Sequence, residues 1–181
     1  MNTTSNPAFP AQPLRKLLFS NEDESTYAVL DGASVPELLP KLAGMKDEWA
    51  CLYRGELEPD IAQVAPYLVK LRAESPFTDW ILSEGWGNHW GIFALTQIGL
   101  EALRRHFRHF LRVKDHSGKI FYFRFYDPRV LGVFLPTCNR SEIKTFYGPV
   151  LRYVIEDEQP GRAVVLANIG SKVNPVHENL A

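Results

Sequence analysis

The chain has 181 residues, with 20 Lys plus Arg against 21 Asp plus Glu and a net charge of -1. That length suits one domain, and the balance excludes the cationic excess of a general nucleic-acid or anionic-lipid binder. Hydrophobic residues at 45% can fill a core, while two cysteines, Cys51 and Cys138, with no CxxC spacing, are too few for a disulfide framework.

Residues 1–13 are polar with three prolines and predict a mobile arm. The domain is expected over residues 14–168, with a loose tail over 169–181. No basic segment followed by an apolar stretch marks a signal peptide, and no apolar run reaches bilayer-spanning length. A cytoplasmic protein with reduced thiols and no membrane contact is the expectation. Short strand-like and helix-like segments alternate without a repeat. They predict one α/β domain of the mixed α+β kind, a central mixed β-sheet flanked by helices.

Tyr27 to Leu30 reads as the first strand, ending at Asp31-Gly32. Ser34 and Glu37 have capping-box spacing, with Pro36 early in a helix carrying Leu38, Leu39, Leu42 and Met45. Trp49 to Arg54 alternates as a half-buried strand with Trp49, Cys51 and Tyr53 on one face. Val64 to Leu71 fits another strand, and Pro66 points to an edge or a strand start. Ser75-Pro76 opens a helix through Phe77, Trp80, Ile81 and Glu84 that Gly85 stops.

A glycine- and tryptophan-rich turn then leads into a strand from Trp90 to Leu95. In the helix from about Ile98 to Leu111, Leu100, Leu103, Phe107, Phe110 and Leu111 share one arc. Arg104, Arg105, Arg108 and Arg112 fall on the other side. After a polar turn, Ile120 to Tyr126 is the strongest strand signal in the chain. Asp127-Pro128 opens a helix whose Val130 to Leu135 stretch is apolar nearly all round, until Pro136 ends it. That stretch is either sandwiched in the core or the wall of an exposed groove. Asn139 with Glu142 forms a second capping-box pattern, stopping at Gly148-Pro149. Arg152 to Ile155 and Ala163 to Ala167 suit a final hairpin around Glu156 to Gly161.

Candidate chemistry is sparse. Neither cysteine has a nucleophile setting and no GxSxG elbow exists. His106 and His109 share a helix face, but no HExxH or Cys/His cluster completes a metal site. Gly85 to Gly91 follows a helix and enters a strand, the reverse of a phosphate loop, and lacks its Lys-Ser/Thr pair. Its tryptophans, Trp86 and Trp90, read first as core and second as a platform for a partner. The arginine face reads as a solvated helix surface, then as a site for an acidic protein, and last for nucleic acid. Around FRFYDPRVL, Asp127 between Arg124 and Arg129 would be a low-pKa carboxylate and a poor general base. Asp127, Pro128, Arg124 and Arg129 are better read as scaffold, with Asp127 capping a helix. The enzyme alternative is a metal- or phosphate-dependent site built on Arg124, Asp127 and His106.

The run FYFRFYDPRVLGVFLPT, preceded by LEALRRHFRHFLRV and GWGNHWGIF, resembles the effector adaptor/chaperone domain of bacterial type VI secretion systems. YAVLDGA, APYLVKL and FYGPV are similar to it as well, so the resemblance covers roughly residues 25–155 and RFYDPRVL is its most specific part. It implies a non-enzymatic cytoplasmic protein that binds a toxic effector and loads it onto the valine–glycine repeat (VgrG) spike protein. It brings no catalytic residue and no cofactor. Two features depart from the family: a short tail follows residue 155 where a helix-rich, cargo-dependent part is expected, and Gly132 stands where a larger residue is expected. The expected partners are therefore an effector and the VgrG spike, with no nucleic acid. The arginines 104, 105, 108 and 112, together with Trp86 and Trp90, are the candidate contact residues.

Overall fold

Ser25–Asp31 forms strand β1, and every residue from Thr26 to Asp31 is buried, as befits a strand covered on both faces. The computed structural model describes residues 11–35, 37–114, 117–168, 170 and 172–180. Pro36 and residues 1–10 of the expected arm lie outside them. Before β1, helix α1 (Ala11–Leu18) buries Leu14 and Leu18, so residues 11–13 of the expected arm belong to a helix. The apolar spacing of Leu14 and Leu18 (i, i+4) accounts for this helix.

Helix α2 (Leu38–Ala43), strand β2 (Trp49–Cys51), helix α3 (Pro59–Val64) and strand β3 (Pro66–Leu71) follow. Then come helix α4 (Pro76–Trp80), prolonged by a π-helical turn Ile81–Gly85, and strand β4 (Gly91–Thr96). Helix α5 (Leu100–Arg108) leads into a separate two-stranded hairpin, β5 (Arg112–Lys114) and β6 (Ile120–Tyr122). Helices α6 (Pro128–Thr137) and α7 (Arg140–Tyr147) precede β7 (Val150–Glu156), β8 (Arg162–Asn168) and β9 (Val173–Asn179).

The main sheet runs β2-β3-β1-β4-β7-β8-β9. The α+β class matches expectation, but the sheet is antiparallel at every described pairing and not mixed. The helices do not act as crossovers between parallel neighbours. They fold over the faces instead, so strand and helix alternation alone misleads about direction. Odd and even positions sort into two cores. Tyr27, Val29, Leu68, Ile92, Tyr153 and Leu166 pack with Leu103 and Phe107 of α5, Leu131 of α6 and Phe146 of α7. Ala28, Leu30, Val69, Phe93, Leu95 and Val154 pack with Leu14 and Leu18 of α1, Leu38 and Leu42 of α2, and Phe77 of α4.

Several local signals are realised as written. The Ser75 side chain accepts from the Thr78 N–H with Pro76 in the first turn. Asn139 and Glu142 form a reciprocal capping box, and Pro66 starts β3. Gly148 ends α7 at φ +48°, where any Cβ would also collide with the His106 ring.

Others are displaced. Ser34 does not cap α2: its hydroxyl donates to the Asp31 carboxylate, and Glu37 occupies the N-cap position without a side-chain bond. On β2 Ala50 is buried and Trp49 exposed, and Leu52 just past the strand is buried, so the face of Trp49, Cys51 and Tyr53 is the more exposed one. The segment 169–181 is not loose throughout. Residues Val173 to Asn179 pair with Asn168 to Arg162 along β8, and Leu180 is buried. Its polar composition, VNPVHEN, is that of an edge strand with one wet side.

Candidate partner-binding site

The strongest strand signal does not enter the main sheet. Only Ile120–Tyr122 is a strand, paired with β5 in register Arg112↔Tyr122, Val113↔Phe121 and Lys114↔Ile120. Phe123 extends the ladder by donating its N–H to the Leu111 carbonyl at 3.0 Å. Val113, Ile120, Phe121 and Tyr122 are 41%, 43%, 42% and 73% exposed, an apolar hairpin standing off the domain. Singly exposed apolar side chains are ordinary, but a contiguous group of them marks an interaction surface.

Pairing fixes the faces. Directly opposite residues point the same way, so Val113 and Phe121 share one face while Arg112 with Tyr122 and Lys114 with Ile120 share the other. The Val113 side continues into a groove of about 470 Å³ bounded by Phe110, Phe123, Phe134 and Phe146, with Ser141, Glu142 and Thr145 on its α7 wall. Its floor is a cluster of tilted and edge-to-face aromatic rings: Phe110–Phe146 and Phe123–Phe134 centroids lie 4.8 Å apart and Phe134–Phe146 5.5 Å. The Glu142 carboxylate is already engaged, accepting from the Asn139 N–H at 2.8 Å. The Tyr122 side closes a second cleft of about 530 Å³ with Tyr53, Leu57, Ile61, Arg108 and Arg112.

The four arginines divide. Arg104 donates to the Cys51 carbonyl at 3.0 Å, and Arg108 donates to the carbonyls of Leu52 at 2.9 Å, Cys51 at 3.2 Å and Tyr53 at 2.6 Å. These two clamp the end of β2 and are not a free basic face. Arg105 and Arg112 remain exposed. Glu101 pairs with Arg104 at 3.4 Å.

Trp86 is buried and stacked on Phe93 at 6.1 Å, so it is core and not a surface anchor. Trp90 is half-buried, 4.8 Å from the Trp80 ring and close over Gly85, where a Cβ would come within 2.8 Å of it. Glycine at 85 is what lets that indole lie flat on the turn.

Asp127 caps α6 by accepting from the Arg129 N–H at 3.0 Å and also holds the Arg129 guanidinium through two bonds, with Pro128 in the first turn. Burial alone would raise the Asp127 carboxyl, but the Arg129 bonds outweigh it and hold the group below its ordinary range. Arg124 pairs with buried Asp31 at the end of β1, tying the segment before α6 to the sheet. His106 bonds the Phe146 carbonyl at 2.8 Å, bridging α5 and α7, and burial lowers its pKa. Thus Arg124, Asp127 and His106 each serve a different structural contact. Val130 to Leu135 meets both expected descriptions: Leu131 and Leu135 are core, Val133 is exposed, and Phe134 walls the groove. Pro136 lies inside α6 and does not end it.

Burial pushes both the Cys51 and Cys138 thiols up, which disfavours thiolate at neutral pH. Among the described residues no group of three or more His, Cys, Asp or Glu side chains is placed to hold a metal ion. No described helix is long and apolar enough to cross a membrane.

Sequence reasoning missed a third cleft, of about 660 Å³, between α6 and the β7–β9 strands. Two histidine–carboxylate pairs line it, His89 Nδ1 with Glu156 at 2.7 Å and His177 Nδ1 with Asp157 at 2.6 Å. Burial raises the Glu156 carboxyl, whereas bonds from His177 and the Gln159 N–H overcome burial and lower that of Asp157. Positions 89, 156 and 177 meet only through strand pairing, so no local motif announces them.

None of the curated proteins and none of the solved structures matches the chain. A family model does match residues 26–145, from β1 to the middle of α7, which is most of the chain. The chain belongs to the family described as a domain of unknown function, DUF4123.

Proposed function

We propose that this protein is a cytoplasmic adaptor that binds a type VI secretion effector and loads it onto the VgrG spike protein, and that it does so without catalysing a reaction. The reading draws on the family membership of residues 26–145 and on the RFYDPRVL region inside it. The observation that carries the binding half of it is the exposed apolar hairpin, Val113 with Ile120 to Tyr122, set over an aromatic groove. An adaptor must present apolar surface that a partner covers, and such surface is costly to leave in water without that use.

The histidines and acidic groups with the strongest electrostatic partners are occupied in holding elements together, which supports a scaffold over a reaction centre. Arg124 and Asp127, the centre of the enzyme alternative, are bound to Asp31 and Arg129.

Co-expression of the tagged chain with each protein encoded beside its gene, followed by affinity capture and size-exclusion chromatography, tests the reading. A co-eluting effector or spike protein is the expected result. A folded chain that elutes alone from every such pairing would overturn it.

A further inference from the structure

From the cleft on the Tyr122 side of the hairpin we infer a binding site for an anionic segment of a partner protein, an acidic side chain flanked by apolar ones. The inference rests on the adaptor reading for the identity of the natural partner and deepens it by naming the chemistry that partner presents.

The cleft encloses about 530 Å³ between the segment after β2, helix α3, the end of α5 and the β5–β6 hairpin. That volume falls within the roughly 300–1,000 Å³ of ordinary ligand sites and has room for a few side chains. Arg112 and Tyr122 stand directly opposite each other on the hairpin ladder, so both present to this side. Leu57 and Ile61 are among the other walls, and Ile61 and Tyr122 are 43% and 73% exposed, apolar surface that a ligand can cover. The aromatic groove lies on the opposite face of the hairpin and is a separate surface.

Charge decides what the cleft takes. Arg54, Arg108 and Arg112 line it, and no carboxylate does. Arg54 and Arg112 are exposed, and among the described residues neither stands in ion-pair distance of an acidic group. Arg108 is held by the carbonyls of Leu52, Cys51 and Tyr53, which are neutral, so its charge keeps no counter-ion. Burial, and then the neighbouring guanidiniums of Arg104 and Arg54, lower the Arg108 pKa, as crowding of like charges should. Glu101 is engaged with Arg104 and does not line the cleft. An anion relieves such crowding, and the planar fork of a guanidinium matches a carboxylate through two bonds.

The surroundings select a protein carboxylate over a polyanion. Glu56, Glu58 and Asp60 are exposed on the segment that leads from Arg54 to Ile61. A phosphate backbone, charged at every step, would meet those carboxylates on leaving the cleft; one acidic side chain need not. The apolar walls add a preference for hydrocarbon beside the charge.

The test follows the full, nitrogen-15-labelled chain by NMR during titration with a short capped peptide in which Asp and Glu flank a Phe, with Leu outside them. A twin carries Asn and Gln in place of Asp and Glu. The acidic peptide should shift the side-chain Nε–H signals of Arg54 and Arg112 and bind at least about tenfold more tightly than its twin, the margin shrinking as salt rises. Arg54→Gln and Arg112→Gln should each weaken it about tenfold, whereas Arg140→Gln, the same loss of charge at the start of α7, should change it by less than about twofold. Spectra of the variants report whether each remains folded. Equal binding of the twins, no binding of either, or equal loss in the Arg112 and Arg140 variants would overturn the inference. Tighter binding of an oligothymidylate than of the peptide would overturn it in favour of nucleic acid, and a dimer that Arg112→Gln dissolves would do so in favour of a second copy of this chain. If the peptide fails while an effector still co-elutes, the inference falls and the adaptor reading stands. If the peptide binds as described and no effector or spike is ever captured, the cleft chemistry stands and the adaptor reading falls.

Discussion

Phe121 and Phe125 belong to one run, FYFRF, with the same side chain and the same alternating pattern, yet they end in opposite places. Phe125 is fully buried, 5.3 Å from the Phe107 ring and 5.8 Å from Phe146, while Phe121 is 42% exposed on a two-stranded ribbon. What separates them is the Asp31–Arg124 ion pair and the turn that follows it, where the chain leaves the hairpin and dives under α5 and α7. Strand propensity is set by a few neighbouring residues; burial depends on which element arrives to cover them. A run that reads as core can therefore be half core and half exposed surface.

The comparison can be broken most severely at its buried end. Phe125→Ala should cost about 3–5 kcal/mol, since it empties a site enclosed by aromatic rings; urea unfolding that shows less than ~1 kcal/mol would mean the end is not enclosed. Next in size is Arg108→Ala, which leaves the carbonyls of Leu52 and Tyr53 without their charged donor. A loss of about 1.5–3 kcal/mol is expected by the same measurement.

A smaller effect belongs to Asp127, at the start of the helix that Phe125 leads into. Asp127→Ala should cost about 1 kcal/mol through loss of the N-cap. Because the folded carboxyl lies below its ordinary value, its contribution is fully present above the unfolded pKa of about 4 and fades as pH falls through the folded value. Unfolding curves across that acid range should converge for wild type and variant; parallel curves would assign the stability to something other than the ionised carboxylate. The smallest effect sharpens the contrast from the other side. Phe121→Ser should change stability by no more than about 0.5 kcal/mol, as for a side chain half open to solvent and away from the core. A loss near that of Phe125→Ala would show the hairpin to be part of the core.

Much of the fold was legible because its signals are local. Ser75-Pro76, Asn139 with Glu142, Asp127-Pro128 and Gly148 each specify a helix boundary within a few residues, and each behaves so. The β7–β8 hairpin was readable for the same reason. What escaped were matters of partnership at a distance. Nothing near Ser34 says that Asp31 will claim its hydroxyl, and nothing in a helical wheel shows that Arg104 and Arg108 meet strand-end carbonyls about fifty positions away. Helical spacing put those arginines on a solvent face, and only the arrival of β2 against α5 converts them into clamps. Trp86 suits core or platform by its residue type alone, and it lies in the core because Phe93 of β4 offers it a flat partner. The histidine–carboxylate cleft had no local signal at all, since His89, Glu156 and His177 are assembled by the sheet.

The order of the sheet carries a consequence for where the molecule can be altered. Residues 26–145 form the part shared with the family, but β7, β8 and β9 come after it and supply three of the seven strands, with Tyr153 and Leu166 in one core and Val154 and Ala163 in the other. The matched segment and the mechanical unit thus do not coincide. The outward residues of the last strands can be replaced, but any substitute must still pair with β4 and fill both cores. Novelty at this end of the molecule has to be grafted through a ladder of backbone bonds, and cannot simply be appended to a finished domain.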